Sequence, residues 1–264
     1  MIVSVVQPAY FAGEKPDKSI ADFLLKTLDN AREGELIVLP EYANAGGLTD
    51  KDAILSALPR AKEMLEAVSG ISKDKKCYIA INVLEERESR LFNSTYLFNK
   101  NGNTVFCYDK VHLPPAEVKL GVCYGGGNCT CENDGIRIGF MTCYDVYFNE
   151  QIEAIAEFKP DIIIIPGYQR GERTDIIRAQ AKLTAFRCNS YIARASYSMN
   201  NESRGGCSLI AAPDGQILEN MGKETGIISR EIDPKWKYMR SAGFGGSHVR
   251  NDDFISNGVR KDLY

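Results

Sequence analysis

The chain is poor in histidine and tryptophan. Of 264 residues, two are histidines, His112 and His248, and one is a tryptophan. A three-histidine zinc site is therefore excluded, and a Ser-His-Asp triad would have to use one of those two histidines. No G-x-S-x-G elbow and no Walker sequence occurs, which removes the readings that rest on those motifs. No run of about 18 apolar residues is present, so no membrane-crossing helix is expected. The opening Met-Ile-Val-Ser-Val-Val-Gln-Pro shows no basic leader followed by an apolar stretch. A cytoplasmic protein without membrane contact is the expectation. A basic excess is missing too: 32 Lys and Arg stand against 35 Asp and Glu, a net charge of −3. This argues against nucleic acid as a partner.

What remains is a globular composition. Apolar residues make up 44% and charged residues 25%, values that argue against wholesale disorder. A chain of this length buries a sizeable core as one large domain or two small ones. Eight cysteines are too few here for a disulfide scaffold and read as mostly reduced thiols.

The pattern of apolar residues is strand, helix, strand, helix and then a hairpin, twice over. In the first half, strands are expected at Ile2–Gln7, Leu36–Leu39 and Cys77–Leu84, and helices at Pro16–Glu33 and Lys51–Ser69. The runs Ser94–Phe98 and Thr104–Tyr108 flank Asn101-Gly102, a hairpin signal. In the second half, Ile136–Met141, Asp161–Ile165 and Tyr191–Ser196 read as strands, and Glu150–Phe158 and Arg173–Cys188 as helices. Ser208–Ala211 and Gln216–Leu218 flank the turn Pro213-Asp214-Gly215, and Gly226–Glu231 is a last strand. Two such halves predict an α/β fold, a single-domain four-layer α-β-β-α sandwich over residues 1–234. The Gly-, Ser- and Arg-rich stretch 235–264 reads as an irregular C-terminal extension and a candidate oligomer contact.

Three reactive residue types follow strands, where α/β folds place functional groups. Glu41 follows Leu-Ile-Val-Leu-Pro, Lys110 follows Thr104–Tyr108, and Cys143 lies between a strand and a helix. A thiol at such a turn lies near backbone N–H groups and a helix dipole, which favour thiolate. A carboxylate takes the thiol proton as sulfur attacks a carbonyl. A lysine and the N–H of Tyr144 then stabilise the oxyanion. No step needs histidine.

The segments Leu39-Pro40-Glu41-Tyr42, Asp109-Lys110-Val111-His112-Leu113-Pro114 and Gly139-Phe140-Met141-Thr142-Cys143-Tyr144-Asp145 resemble the three signature segments of the carbon–nitrogen hydrolase (nitrilase/amidase) superfamily, in its order and at compatible spacing. Ser208–Gly215 is similar to the family's late strand and turn. The resemblance implies a nitrilase-like sandwich and a Glu-Lys-Cys triad, with Glu41 as general base, Lys110 as oxyanion stabiliser and Cys143 as nucleophile. It also implies a second glutamate between lysine and cysteine, a place that Glu117 occupies. The activity it implies is hydrolysis of a linear amide or N-carbamoyl compound through a thioester. No cofactor or metal is implied, and the assembly would be a homodimer or larger homo-oligomer. Where many members carry arginine and proline after the cysteine, this chain has Tyr147 and Asn149. That departure bears on any substrate whose carboxylate the arginine would hold. A nitrilase or acyltransferase on the same site, or a non-catalytic or redox thiol protein, are the rival readings.

Other residues take plainer roles. Tyr168, Arg170 and Arg173 follow the strand at Asp161–Ile165 and either contact a substrate carboxylate or carbonyl or form a solvated loop. His112 is expected to brace the lysine loop. Cys123, Cys129 and Cys131 lack the spacing and the fourth ligand of a zinc site.

Overall fold

The computed structural model describes residues 1–11, 19–260 and 262. Its first half contains β1 (Ile2–Gln7), α1 (Ser19–Thr27), β2 (Leu36–Val38), α2 (Lys51–Ser56), α3 (Pro59–Lys75), β3 (Tyr78–Arg87), β4 (Arg90–Phe98), β5 (Thr104–Asp109) and α4 (Pro115–Leu120). The second half contains β6 (Thr130–Asn133), β7 (Ile136–Phe140), α5 (Asn149–Glu157), β8 (Ile162–Pro166), α6 (Thr174–Cys188), β9 (Tyr191–Ala195), β10 (Leu209–Ala211), β11 (Ile217–Asn220) and β12 (Gly226–Glu231). A short hairpin, β13 (Met239–Ser241) with β14 (His248–Arg250), and α7 (Asn251–Ser256) complete it.

The strands form two six-stranded sheets, ordered β12-β1-β2-β3-β4-β5 and β11-β10-β9-β8-β7-β6. Each has a parallel centre, β1-β2-β3 in one and β7-β8-β9 in the other, extended by antiparallel strands. Alternation along the strands sorts side chains between layers. Val3, Val5, Leu36, Val38 and Ala80 point into the cluster shared with Ile138, Phe140 and Ile164 of the other sheet. Their neighbours Val6, Ile37, Ile79 and Ile81 pack instead on Leu24 and Leu28 near the chain start and on Met64 and Val68 of α3. Period-two alternation thus gives the first sheet two buried faces, one on the other sheet and one on helices. The fold is the α-β-β-α sandwich that the sequence pattern predicts.

Several expectations need correction. The single helix at Lys51–Ser69 is two, α2 and α3, because Pro59 cannot continue the preceding turn and instead opens the next helix as its first residue. β3 and β4 form a long hairpin through Glu88 and Ser89, both with positive φ, a turn made without the usual glycine or asparagine. α4 and β6 are additional. Of the helix expected at Pro16–Glu33, residues 16–18 lie outside the described residues, and its ordered turns end at Asn30.

The stretch from Lys235 onward is also more regular than its composition suggests, because its hairpin and α7 have specific partners. Asn189, which ends α6, bonds Tyr238 and Asp252, and Asn251 bonds the carbonyl of Phe186. Lys235 and Lys237 reach the buried carboxylate of Asp161 at 2.6 and 3.3 Å.

Candidate active site

Glu41, Lys110 and Cys143 all lie just past strand ends, and each loop is held by backbone bonds. After β2, Leu39 N–H donates to Ala80 O, and Tyr42 (φ 58°) donates its N–H to the Asn82 side chain at 2.8 Å. After β5, Lys110 N–H donates to Asn93 O at 2.9 Å. Cys143 begins a 3₁₀ turn, Cys143–Tyr147, closed by a reciprocal cap between Thr142 and Asp145. Its own φ is 47°, a left-handed conformation that a non-glycine residue adopts only when its surroundings impose it.

The charged side chains meet in the interior. Lys110 Nζ lies 2.7 Å from Glu41 Oε1 and 2.9 Å from Glu117 Oε1. Lys110 and Glu41 are each 1% exposed and Glu117 6%, so water does not screen these pairs. Asn93 Nδ2 donates to the same two oxygens at 2.8 and 3.1 Å, and Tyr42 OH donates to Glu117 Oε1. Asn82 orients Asn93 at 2.7 Å, and Tyr197 OH donates to the Glu41 carbonyl. The Glu41 carboxylate also acts on the Cys143 thiol.

These contacts set the resting protonation. Burial opposes a charge on Lys110, but Glu41, Cys143 and Glu117 outweigh it and hold the ammonium well above its ordinary range. Burial pushes the Glu117 carboxyl up, against the pull of Lys110. Burial, and after it the Glu41 carboxylate, push the Cys143 thiol well above the ordinary thiol range. This direction runs against the thiolate expected from the turn: desolvation and a neighbouring anion oppose the turn's N–H groups.

Glu41, Lys110, Glu117 and Cys143 border one cavity of about 800 Å³. Tyr144 and Tyr168, both expected near substrate, line it as well. Arg173 does not: it forms a fork with Asp175, at 2.6 and 3.0 Å, in solvent. Its neighbour Arg170 lines the cavity instead, lying over the rings of Tyr10 and Tyr168 and donating to Tyr10 OH at 2.6 Å. His112 braces the loop as expected, with its ring stacked on Phe148 at 3.8 Å and Nδ1 at 2.9 Å from Asp145. Cys129 packs in the core and Cys131 sits on β6.

Sequence reasoning misses Asn82, Asn93 and Asp145. Asp145 lies inside one of the three signature-like segments, so its position carries a signal. The asparagines sit mid-strand in a hairpin whose turn the sequence does not announce.

The chain belongs to the carbon-nitrogen hydrolase family, whose pattern it matches over residues 3–240. It is 26% identical over 260 residues to a 2-oxoglutaramate amidase of Bacillus subtilis, covering 95% of this chain and 94% of that one. It is 24% identical over 256 residues to an omega-amidase of Saccharomyces cerevisiae, covering 88% and 87%. Among solved structures, a mutant of the Nesterenkonia AN1 amidase from the nitrilase superfamily superposes with a TM-score of 0.77 at 18% identity, covering 100% of this chain and 95% of that one. A CN-hydrolase superfamily protein of Xanthomonas campestris superposes with a TM-score of 0.73 at 18% identity, covering 88% and 90%. At that identity the structural likeness speaks for the fold.

Proposed function

We propose that the protein hydrolyses a small linear amide or N-carbamoyl compound through a thioester on Cys143. The observation that carries this reading is the convergence of Glu41, Lys110 and Glu117 beside Cys143 on one cavity. Glu41 accepts the thiol proton as Sγ attacks the carbonyl carbon. Proton and nucleophile thus move together, which suits a thiol pushed above the ordinary range. Negative charge grows on the carbonyl oxygen. Lys110 has three N–H bonds and gives two to Glu41 and Glu117, leaving one for the oxyanion. The N–H of Tyr144, in the first turn after Thr142, has no acceptor within its own turn and adds a second donor. The C–N bond then breaks, and the amine leaves with the proton held by Glu41. In the second half, water attacks the thioester carbon and gives a proton to Glu41. The C–S bond breaks, the acid leaves, and sulfur regains the proton.

Two relatives are named for amides of acids, and this cavity offers Arg170 as an anchored cation with Lys51 and Lys119 at its edge. A carboxylate on the acyl chain therefore fits, held by Arg170 rather than by residue 147. The proposal includes a homodimer or larger assembly in which residues 235–264 are a contact. The exposed apolar side chains of Trp236, Met239, Phe244 and Phe254 support it.

Ammonia release from amides, ω-amides and N-carbamoyl amino acids, with wild type beside Cys143→Ala, tests the chemistry. Release by wild type alone is expected, and equal release by both contradicts it. Sedimentation of wild type and Phe244→Asp tests the contact: a smaller species is expected in the variant, and a monomeric wild type contradicts it.

A further inference from the structure

Arg194 on β9 is 2% exposed, and no carboxylate pairs with it among the described residues. Two of its N–H bonds go to the carbonyls of Gly206 and Cys207, each at 2.8 Å, and Nε has no partner among the described residues. A buried guanidinium without a counter-anion is costly, so its remaining contact is informative. Nη2 donates to Gln169 Oε1 at 3.0 Å. Gln169 Nε2 in turn donates to Tyr147 OH and to Gln180 Oε1, each at 3.1 Å. Tyr147 OH donates to Glu172 Oε2. Every donor in this chain points the same way, from a buried cation to a carboxylate. Each link fixes the next, since Gln169 must turn its oxygen to Arg194 and Tyr147 must spend its proton on Glu172.

The chain ends at the cavity, which Gln169, Tyr147 and Glu172 all line. Glu172 is further held by the N–H of Arg173 at 2.9 Å, and its carbonyl accepts from Gly205 at 2.9 Å. Two residues away, Arg170 lines the same cavity and is held by Tyr10 and two aromatic rings. The wall therefore presents one cation, Arg170, held by Tyr10 and two rings, and one anion, Glu172, held by Tyr147 and the Arg173 N–H; Arg170 is exposed, as are Lys51 and Lys119. Anchored charges discriminate best because they lose little freedom on binding.

We propose that Glu172, aligned by the Arg194–Gln169–Tyr147 chain, is a specificity determinant that takes an ammonium group on the substrate, opposite the carboxylate taken by Arg170. The substrate class is then an ω-amide of an α-amino acid, bearing both charges. This rests on the hydrolase reading above and narrows it. Tyr147, at the position where the resembling family often carries arginine, is part of an anion-holding wall.

The test uses four five-carbon amides: pentanamide with neither charge, glutaramate with a carboxylate, 5-aminopentanamide with an ammonium, and glutamine with both. kcat/KM for ammonia release is measured for wild type, Glu172→Gln and Tyr147→Phe, with Cys143→Ala as the blank. Wild type is expected to favour glutamine over glutaramate by tenfold or more. Glu172→Gln keeps the shape of the side chain and is expected to reduce that ratio at least tenfold through KM. Tyr147→Phe, which removes the donor to Glu172 together with the acceptor of Gln169 Nε2 but leaves the Glu172 charge in place, is expected to reduce it less. A wild type that favours glutaramate, or a ratio that Glu172→Gln leaves unmoved, overturns the subsite. Release that Cys143→Ala matches on all four amides, or no release from any, overturns the hydrolase reading for this class and the subsite with it.

Discussion

The backbone N–H and the ring Nδ1 of His112 converge on one carboxylate oxygen of Asp145, each at 2.9 Å. The other oxygen accepts from Thr142 N–H at 2.8 Å and Tyr108 OH at 2.7 Å. One wholly buried carboxylate thereby fastens the loop that carries Lys110 to the turn that carries Cys143. Relative placement of lysine and sulfur depends on this residue, although it does not line the cavity.

Asp145→Ala leaves several buried donors unsatisfied at once. It is expected to lower unfolding free energy by roughly 3 kcal/mol or more, read as a shift in urea midpoint. Asp145→Asn keeps some of the contacts and is expected to cost less. Equal stability of Asp145→Ala and wild type contradicts this role.

Burial, and after it Glu41, push the Cys143 thiol above the ordinary thiol range. Alkylation by iodoacetamide requires thiolate, so its rate at Cys143 is expected to keep rising with pH beyond about pH 9, above the ordinary thiol range. A plateau below pH 8 would show a preformed thiolate instead.

Glu117 Oε1 accepts from Tyr42, Asn93 and Lys110, while Oε2 is buried without a partner among the described residues. Glu117→Gln keeps the volume and removes the charge beside Lys110. kcat is expected to fall by about 10²–10³-fold, the scale of a lost electrostatic or acid–base contribution, with far-ultraviolet circular dichroism unaltered. Turnover within twofold of wild type sinks the assignment.

Asp161 is held below the ordinary carboxylate range. Burial opposes this, but Arg137 N–H, Lys235 and Lys237 outweigh it. A lowered carboxyl contributes stability that is present above its unfolded value, about pH 4, and is lost as pH falls through the folded value. Lys237→Met is expected to cost about 2 kcal/mol at neutral pH and to flatten the loss below pH 4. Parallel stability curves for variant and wild type between pH 2 and 6 contradict the link.

The parts of the fold that are legible in the sequence are those set by local pattern. β1 and β12 fall on the expected residues because alternation and flanking turns define them. Glu41, Lys110 and Cys143 are legible as a set because each follows a strand and lies in one of three segments that resemble a family's signature segments in order. The turn at Glu88-Ser89 is not, because neither residue announces a positive φ. Nor is the difference between Arg170 and Arg173: both follow the same strand, and only the fork with Asp175 takes the second away from the cavity. The thiol's protonation is hidden for a related reason. A strand-to-helix turn is visible in sequence, but the burial and the carboxylate that oppose it come from Glu41, far away in the chain. The bonds from Arg194 through Gln169 to Tyr147 likewise join three separate segments and exist only once the second sheet has formed.

The account stands most directly on a thioester at Cys143. Wild type mixed with an amide that it turns over, quenched in acid within the first turnovers and analysed by peptide mass spectrometry, is predicted to carry the acyl group on the Cys143 peptide. That adduct should decay as acid appears, and Cys143→Ala should carry none. Turnover that persists in Cys143→Ala, or an acyl group found on another residue, would contradict the account.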